Sequence, residues 1–323
     1  MSNDATTDET LFLGVDGGGT STVALLGLAD GRVIGTGTAG PSNAKAVGTS
    51  AARTALEEAI AGAFAEAGMW PRSVAIACLG VAGFDRPEDK QLLGEWSEAG
   101  RWADRLILVN DGDLVVAAGT PEGWGVGVIA GTGSIAVARA ADGRKARAGG
   151  WGAIMGDEGS AYNVVVAALR LIARRLDHRE EAPMNPDPLT EAICQGLGIK
   201  GPGGLISAVY APGIDRTVLA GLAPMIVEAA ERDPSINDIL LRPAGRDLAE
   251  IAAAAARALG WTSGPLPLGL AGGFLLSTPV VVEAMLADLK ARGYEPQPTL
   301  VEEPARGALT LARRDFAERQ KPA

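Results

Sequence analysis

A glycine-dense loop with one flat aromatic side chain and two adjacent carboxylates carries the most chemical information in this chain. It runs from Gly149 to Tyr162 with the sequence GGWGAIMGDEGSAY and leads into an apolar helical pattern. Glycines let a backbone approach a ligand closely, while a Trp face and a carboxylate suit the apolar and hydroxyl sides of a sugar ring. The alternative is a plain helix start capped by Asp157 or Ser160, which leaves the five glycines and Trp151 without an explanation.

Two glycine-threonine turns follow apolar runs and suit phosphate groups. The first is Gly17-Gly18-Gly19-Thr20-Ser21, after the run Leu11–Asp16, and the second is Gly131-Thr132-Gly133-Ser134, after Gly125–Ala130. Backbone N–H groups and hydroxyls in such turns form an anion-binding concavity without any lysine. Two facing turns of this kind predict a nucleotide held between two domains.

Three polar residues at the ends of predicted strands or in loops are candidates for catalysis and binding. Asp16 could hold hydrated Mg²⁺ against the phosphates, or could shape the turn through its own backbone. Asp111 follows the run Leu106–Asn110 and could accept a hydroxyl proton during phosphoryl transfer, with Asp113 as a competitor for that role. The amide of Asn43 can both donate to and accept from a sugar hydroxyl, although turn chemistry alone also favours Asn there.

The elements that must position these residues repeat along the chain. The first half predicts three antiparallel strands, with the turn Ala29-Asp30-Gly31-Arg32 between the second and third, and then alternating helices and strands. The second half restarts at Gly125, and Ala141-Asp142-Gly143-Arg144 lies at the same offset of 112 residues (141 − 29) that separates Thr20 from Thr132 (132 − 20). A shared offset indicates an internal duplication.

The predicted domains are residues 1–115 and a larger, mostly helical domain at 116–323. A chain of 323 residues is long for a single core, which agrees with two domains. Predicted helices include Thr217–Arg232 and Asn237–Leu259, and the strand Leu266–Leu270 leads into Ala271-Gly272-Gly273. A last helix at about 304–316 is expected to pack back on the first domain.

Composition and missing motifs exclude several classes of protein. The net charge of −10 and the lack of a basic cluster argue against a nucleic acid or an anionic membrane as partner. No GxxxxGK[ST] motif occurs, and the GxGxxG at Gly35–Gly40 is followed by Pro41 rather than by a helix, which argues against a P-loop and a dinucleotide site. The polar segment Met1–Thr10 does not resemble a signal peptide, and no apolar run is long enough to span a membrane, so the expected location is the cytoplasm.

On these residues the chain resembles the BadF/BadG/BcrA/BcrD-type ATPase family, and within it the N-acetylglucosamine kinases. The likeness covers about Leu11 to Leu311 and is carried by Asp16–Thr20, Asn43, Asn110-Asp111, Gly131–Ser134, Gly150–Tyr162 and Leu270–Gly273. The resemblance implies an α/β fold of two duplicated actin-like ATPase (ribonuclease H-like) domains with a nucleotide cleft between them. It also suggests a homodimer.

The resemblance implies a role for each matched residue, with ATP and Mg²⁺ as cofactors. The phosphates would contact Gly18, Gly19, Thr20 and Ser21 in the first turn and Gly131, Thr132 and Gly133 in the second. Asp16 would hold Mg²⁺ through water, and Gly272 and Gly273 would lie against adenosine. The amino sugar would contact Asn43, Asp111, Gly150, Trp151, Gly152 and Asp157, with Asp111 as the base for its 6-hydroxyl.

The implied reaction is the ATP-dependent phosphorylation of N-acetylglucosamine to its 6-phosphate. Glucosamine or N-acetylmuramate are alternative acceptors, and a non-kinase ATPase or regulator of the same fold is an alternative class. The sugar stays open because a mammalian-type kinase has a sugar-contacting Ser where this chain reads Val81-Ala82-Gly83-Phe84. The cluster-bearing, electron-transferring members are disfavoured, since Cys78 lies in a predicted strand and Cys194 in a predicted helix.

Overall fold

A computed structural model describes residues 10–84, 86–181 and 186–320 of the chain. Residues 1–9 of the polar N-terminal segment, for which no signal peptide is expected, lie outside the described part. The described chain forms two compact units. The first contains the residues up to Trp124 together with those from Glu303 onward, and the second contains Gly125–Glu302.

The first unit is a five-stranded mixed sheet with helices packed against it. Its strands and helices are β1 (Leu11–Gly17), β2 (Thr22–Leu28), β3 (Val33–Ala39), α1 (Ala44–Val47), α2 (Thr49–Glu66), β4 (Val74–Val81), α3 (Pro87–Gly100), β5 (Ala103–Val109) and α4 (Asp111–Gly119). The strand order is β3-β2-β1-β4-β5, with β1 antiparallel to β2 and parallel to β4. Because β1 is central, six of its seven residues are buried, which explains its nearly continuous apolar sequence.

The second unit begins with β6 (Gly125–Ala130), β7 (Ser134–Arg139) and β8 (Lys145–Gly149). A helical region follows and contains α5 (Ala161–Leu176), α6 (Pro188–Gly196), α7 (Leu205–Val209), α8 (Arg216–Ala220), α9 (Ala223–Arg232) and α10 (Arg242–Ala258). The unit ends with β9 (Gly264–Ala271), α11 (Gly273–Ser277), α12 (Pro279–Ala291) and β10 (Tyr294–Leu300), and the final helix of the chain is α13 (Ala305–Arg319).

The two sheets have the same topology, which extends the predicted duplication from two turns to whole sheets. The second sheet has the order β10-β9-β6-β7-β8, so β6 to β10 take the places of β1 to β5, with the same parallel and antiparallel pairs. The repeated turns also match in detail. Asp30 accepts from the backbone N–H and the Nε of Arg32 at 2.9 and 2.7 Å, and Asp142 accepts from those of Arg144 at 3.0 and 2.8 Å.

Three elements differ from the sequence prediction for identifiable reasons. The span Thr217–Arg232 is two helices, α8 and α9, divided near Gly221 with a proline in the first turn of α9. The span Asn237–Leu259 starts as a π-helical turn, Asn237–Leu241, before α10. β10 was not predicted because it contains two prolines, which an edge strand tolerates since its outer N–H groups need no partner.

The last described helix, α13, belongs to the core of the first unit. α13 contributes Ala305, Ala308 and Leu309 to a buried cluster with Phe12 of β1 and Leu114 of α4. α4 itself spans the predicted domain boundary at 115/116, whereas the two units meet along the chain at 124/125 and 302/303. Among the described residues, no helix combines the length and apolarity needed to cross a membrane.

Candidate active site

The first phosphate turn is held in place by two other loops of its unit. Within the turn, the Gly18 N–H donates to the Ser21 carbonyl at 2.9 Å. The Ser42 N–H donates to the Gly18 carbonyl at 3.1 Å, and the Ala82 N–H donates to the Gly17 carbonyl at 2.8 Å. Thr20 and Ser21 are exposed at the tip. The turn is therefore fixed at its base while its hydroxyls face solvent, as a phosphate-binding turn requires.

Asn43 lies beside this turn and already has a structural role. Its side-chain Oδ1 accepts from the Lys45 N–H at 3.1 Å and caps α1. Gly83 has a φ of 85°, and a Cβ at that position would clash with the Asn43 Oδ1. The missing side chain at Gly83 thus gives Asn43 its room, and both alternatives for Asn43, turn chemistry and ligand contact, remain compatible with this geometry.

Asp16 and Asp111 form a like-charged pair in the first unit. Asp16 is the next-to-last residue of β1 and lies opposite Gly80 of β4, and Asp111 is the first residue of α4. Burial and, to a smaller extent, the charge of Asp111 raise the pKa of Asp16 to about 7. A buried carboxylate beside a second one favours a cation in its neighbourhood, because the cation offsets the repulsion between them.

The arrangement fits Mg²⁺ held by few protein ligands. Among the residues that the structure describes, no group of three or more His, Cys, Asp or Glu side chains could hold a metal ion. Mg²⁺ commonly binds through one or two carboxylates, several waters and the phosphates of a substrate, because it gives up its water reluctantly. Asp16, at the base of the phosphate turn, would supply such a carboxylate.

Local geometry separates Asp111 from its competitor, Asp113. Asn110 caps α4 by accepting from the Gly112 N–H at 2.9 Å, and Asp113 accepts from the Asn110 N–H at 3.3 Å in the reciprocal contact. Asp113 is buried, whereas Asp111 is half-buried. Asp111 Oδ1 also accepts from the Gly112 N–H at 2.9 Å, so both carboxylates contact the helix start, and the difference between them is that Asp113 is enclosed whereas solvent reaches Asp111.

The second phosphate turn is tied to the start of α5 and to the end of β9. The Gly131 N–H donates to the Gly133 carbonyl at 2.9 Å, and the Ala161 N–H donates to the Gly131 carbonyl at 2.9 Å. Gly272, with a φ of 97°, packs so closely on Ala130 that a Cβ would clash with the Ala130 carbonyl oxygen. The structure thus brings Gly272 and Gly273 beside the Gly131–Gly133 turn.

The glycine-dense loop presents Trp151 to solvent. The Gly150 N–H donates to the Ser134 carbonyl at 3.0 Å, and both Gly150 and Gly152 have positive φ, at 69° and 83°. Trp151 is 60% exposed, and the Arg147 guanidinium carbon lies 5.3 Å from its ring centroid. This cation–π contact, worth roughly 0.5–1 kcal/mol at an exposed site, orients an aromatic face that solvent can still reach.

Asp157 does not cap the helix that follows the loop. Ser160 is the cap of α5 and accepts from the Asn163 N–H at 3.2 Å. Asp157 is buried, with an Oδ1 that accepts from the Ser134 N–H at 3.2 Å and an Oδ2 that lies 3.0 Å from Arg216 Nη2. Sequence reasoning missed Arg216, because it lies in the helical region far from the loop and no local pattern marks it.

The predicted site residues thus form one group in each unit. Asn43, the first phosphate turn, Asp16 and Asp111 are neighbours in the first unit, through the contacts given above. The second turn, Gly272, the Gly150–Gly152 segment and Asp157 are neighbours in the second. Both cysteines are buried, Cys78 in β4 and Cys194 in α6, in the types of element predicted for them.

Fold and comparisons define the class of protein: an ATPase with two actin-like α/β units. A glucokinase of the ROK family from Streptomyces griseus, solved with glucose and an ATP analogue, superposes with a TM-score of 0.57 over 94% of this chain and 99% of that one; at 18% identity this supports the fold alone. The chain belongs to the BadF/BadG/BcrA/BcrD ATPase family, whose model matches residues 13–312.

More similar relatives are sugar kinases by name. An N-acetylmuramic acid/N-acetylglucosamine kinase from Clostridium acetobutylicum is 30% identical over 81% of this chain and 85% of its own length. An N-acetyl-D-glucosamine kinase from Dictyostelium discoideum is 29% identical over 77% of this chain and 80% of its own. A crystal structure from Chromobacterium violaceum, provisionally named an N-acetylglucosamine kinase, is 30% identical with a TM-score of 0.73 over 94% of this chain and 99% of that one. The predicted family, fold and enzyme class, a sugar kinase, are confirmed.

Proposed function

We propose that this protein transfers the γ-phosphoryl group of ATP to the 6-hydroxyl of an N-acetylated amino sugar, with N-acetylglucosamine as the first candidate. The observation that carries the proposal is the half-buried Asp111 carboxylate, which begins α4 near Asp16 and the first phosphate turn. Relatives named for N-acetylglucosamine and N-acetylmuramic acid support an N-acetylated acceptor.

The chemistry assigned to the first unit is proton acceptance and phosphate positioning. Asp111 accepts the proton of the attacking hydroxyl, a contribution of typically ~10²–10⁴-fold in rate for a positioned base. The backbone N–H groups and hydroxyls of Gly18 to Ser21 hold phosphate oxygens. Asp16 would hold Mg²⁺ through water, and the cation would favour the ionised carboxylate against the burial and the Asp111 charge that raise its pKa. Bound Mg²⁺ supplies charge neutralisation for the phosphates.

The second unit is assigned the remaining contacts to the sugar and the nucleotide. Trp151 offers an aromatic face to the apolar side of the ring, and the backbones at Gly150 and Gly152 allow close approach because they lack Cβ atoms. Gly131, Thr132 and Gly133 hold phosphate oxygens, and Gly272 and Gly273 lie against adenosine. Asp157 contacts the sugar, and Asn43 of the first unit binds a further sugar hydroxyl.

A panel of acceptors tests the proposal. Purified protein is incubated with MgATP and, separately, with N-acetylglucosamine, N-acetylmuramate, glucosamine, glucose and no sugar, and ADP release is followed. We expect ADP release to depend on sugar and to be greatest with an N-acetylated sugar, and the product to carry phosphate at O6. A preference for glucosamine would contradict the N-acetylated acceptor. ADP release that is the same without any sugar would favour the alternative, an ATPase or regulator that uses this fold without transferring phosphate to a sugar.

A further inference from the structure

Asp157 combines a left-handed backbone with a buried side chain. Its φ is 61°, a conformation that Asp adopts more readily than most residues other than glycine but that still costs energy. Its side chain is also almost fully buried, at 4% exposure. A buried carboxylate needs a charged or hydrogen-bonded partner to remain ionised, since burial removes its water.

Arg216, which is distant in sequence but belongs to the same unit, supplies that partner. It is the first residue of α8, a helix whose start is fixed by Asp215, which accepts from the Val218 N–H at 2.9 Å. One guanidinium nitrogen, Nη2, lies 3.0 Å from Asp157 Oδ2. The helical region that carries α8 lies between β8 and β9 and is much longer than the segment between β3 and β4, its counterpart in the first unit.

The same guanidinium lies against the second phosphate turn. A Cβ at Gly133 would clash with Arg216 Nη2 and would come within 2.7 Å of Asp157 Oδ1, so the turn, the carboxylate and the arginine pack in direct contact. Arg216 also has a buried Nε for which the structure shows no hydrogen-bond partner, while 39% of its side chain is exposed. After its contact with Asp157, the Arg216 guanidinium therefore still has N–H groups that can donate further hydrogen bonds.

We propose that Arg216 is a positioning residue that fixes Asp157 for sugar binding and couples it to the Gly131–Gly133 turn. This inference rests on the proposed kinase function. Arg216 holds the carboxylate in its left-handed conformation against Ser134, so that Asp157 keeps one orientation toward the sugar. Gly133 must be a glycine, because a side chain there would occupy the space of the Arg216 guanidinium. Loss of Arg216 then weakens sugar binding more than it weakens ATP binding, because the backbone of the turn stays in place.

The test compares Arg216→Ala, Arg216→Lys and Arg292→Ala with the wild type on the best acceptor from the sugar panel. Arg292 is a matched control: its side chain is 34% exposed and pairs with Asp288, and it lies next to the start of β9, at the opposite end of that strand from Gly272. We expect Arg216→Ala to raise the KM for the sugar about ten-fold or more while the KM for ATP changes less than about two-fold. Arg216→Lys should recover part of this loss, because the positive charge remains but the planar guanidinium does not. Arg292→Ala should leave both values unchanged.

Folding and catalysis are separated by further measurements. Thermal unfolding of each variant shows whether it is folded, and Arg216→Lys serves if Arg216→Ala fails to fold. An Arg216→Ala/Asp157→Asn double variant should lose little more than the Asp157→Asn single variant, because Arg216 acts on the sugar through Asp157. An unchanged sugar KM in Arg216→Ala, or equal rises in both KM values, would overturn the inference. Absence of sugar phosphorylation by the wild type would instead contradict the proposed function, so the two failures are distinguishable.

Discussion

The choice between two nearby carboxylates depends on what the start of α4 requires. Asp113 is the third residue of the helix and accepts from the Asn110 N–H, completing a reciprocal cap, whereas Asp111 stands at the first position. The sequence places both residues after a strand, and position alone favours Asp111. Burial adds an independent physical reason, since Asp113 is enclosed within the cap, whereas Asp111 is half-buried even though its Oδ1 accepts from the Gly112 N–H at 2.9 Å.

Exchanging each carboxylate for its amide separates the two roles. We expect Asp111→Asn to lower kcat by at least ~10²-fold, because the base is lost, while thermal stability and ATP binding stay near the wild type. Asp113→Asn should lower the melting temperature, since its buried capping contact is weakened, while kcat falls by only a few-fold. For both variants, steady-state kinetics give kcat and thermal unfolding gives the melting temperature. The reverse pattern would assign the base to Asp113.

Gly83 leaves room for the Asn43 side chain, and a substitution that fills this space tests the role of Asn43. Gly83→Ala places a Cβ against the Asn43 Oδ1 and should raise the sugar KM about ten-fold, because Asn43 is displaced from its position. Gly68→Ala is the matched control: Gly68 also has a positive φ, at 69°, but no atom lies within 4 Å of an added Cβ. Both variants should lose roughly 1–2 kcal/mol of stability from the backbone strain of an alanine at positive φ.

Sugar kinetics decide this prediction. If Gly83→Ala and Gly68→Ala have the same sugar KM, Asn43 is not held in place by Gly83 or does not contact the sugar. Measuring the KM for ATP in parallel shows whether any loss is restricted to the sugar.

Strands and turns can be predicted from the sequence where the residues of one short segment show the pattern by themselves. The strands β1, β2 and β4 read as apolar runs because they are buried in the sheet, and the paired glycine-threonine turns follow from their position after such runs. Long-range partners have no such signal. Arg216 reaches Asp157 only because the helical region folds over the loop, and β10 is held at the sheet edge by β9 despite its prolines.

The helix α10 supports the glycine-dense loop and carries a carboxylate with a raised pKa. A Cβ at Gly159 would meet the Ala244 carbonyl oxygen at 2.5 Å and Leu248 Cγ at 2.7 Å, so the loop end and the helix are in direct contact. Burial raises the pKa of Asp247, one residue before Leu248, and the charges of Glu158 and Glu250 raise it further, while Arg246 lowers it. Glu158 belongs to the loop, so the two elements bring carboxylates together.

This pair makes stability depend on pH in a defined direction. A carboxyl whose folded-state pKa is raised stabilises the fold fully below its unfolded value of 3.8, and this contribution is lost as pH rises through the folded-state pKa. Asp247→Asn stays neutral, so its melting temperature should exceed that of the wild type by a margin that widens as pH rises from 4.5 to 8. Asp238→Asn, which removes an exposed carboxylate of the neighbouring turn, controls for the change in net charge. A margin that is constant or narrows with pH would contradict the prediction.

The internal duplication explains why two short glycine-threonine turns and one sequence offset predict two units of the same fold. Each unit repeats the same strand order, so a signal found after β1 is found again after β6, and one offset locates both phosphate turns. What the sequence does not give is the path of the chain between the units. The first unit is completed by α13, which follows the whole second unit in the sequence. The chain passes between the units at 124/125 and 302/303, and no change in composition marks either point.

The stability of the first unit should depend on how closely α13 packs on α4. α13 packs on α4 through Gly307, where a Cβ would clash with the Leu114 carbonyl oxygen, so Gly307→Ala should force the two helices apart and cost roughly 1–3 kcal/mol. Gly94→Ala is the opposite control, because Gly94 lies within α3 with no atom within 4 Å of an added Cβ and should gain roughly 0.5–1 kcal/mol. Since α4 begins at Asp111, Gly307→Ala should also lower kcat. A stable and fully active Gly307→Ala variant would show that α4 is positioned without α13.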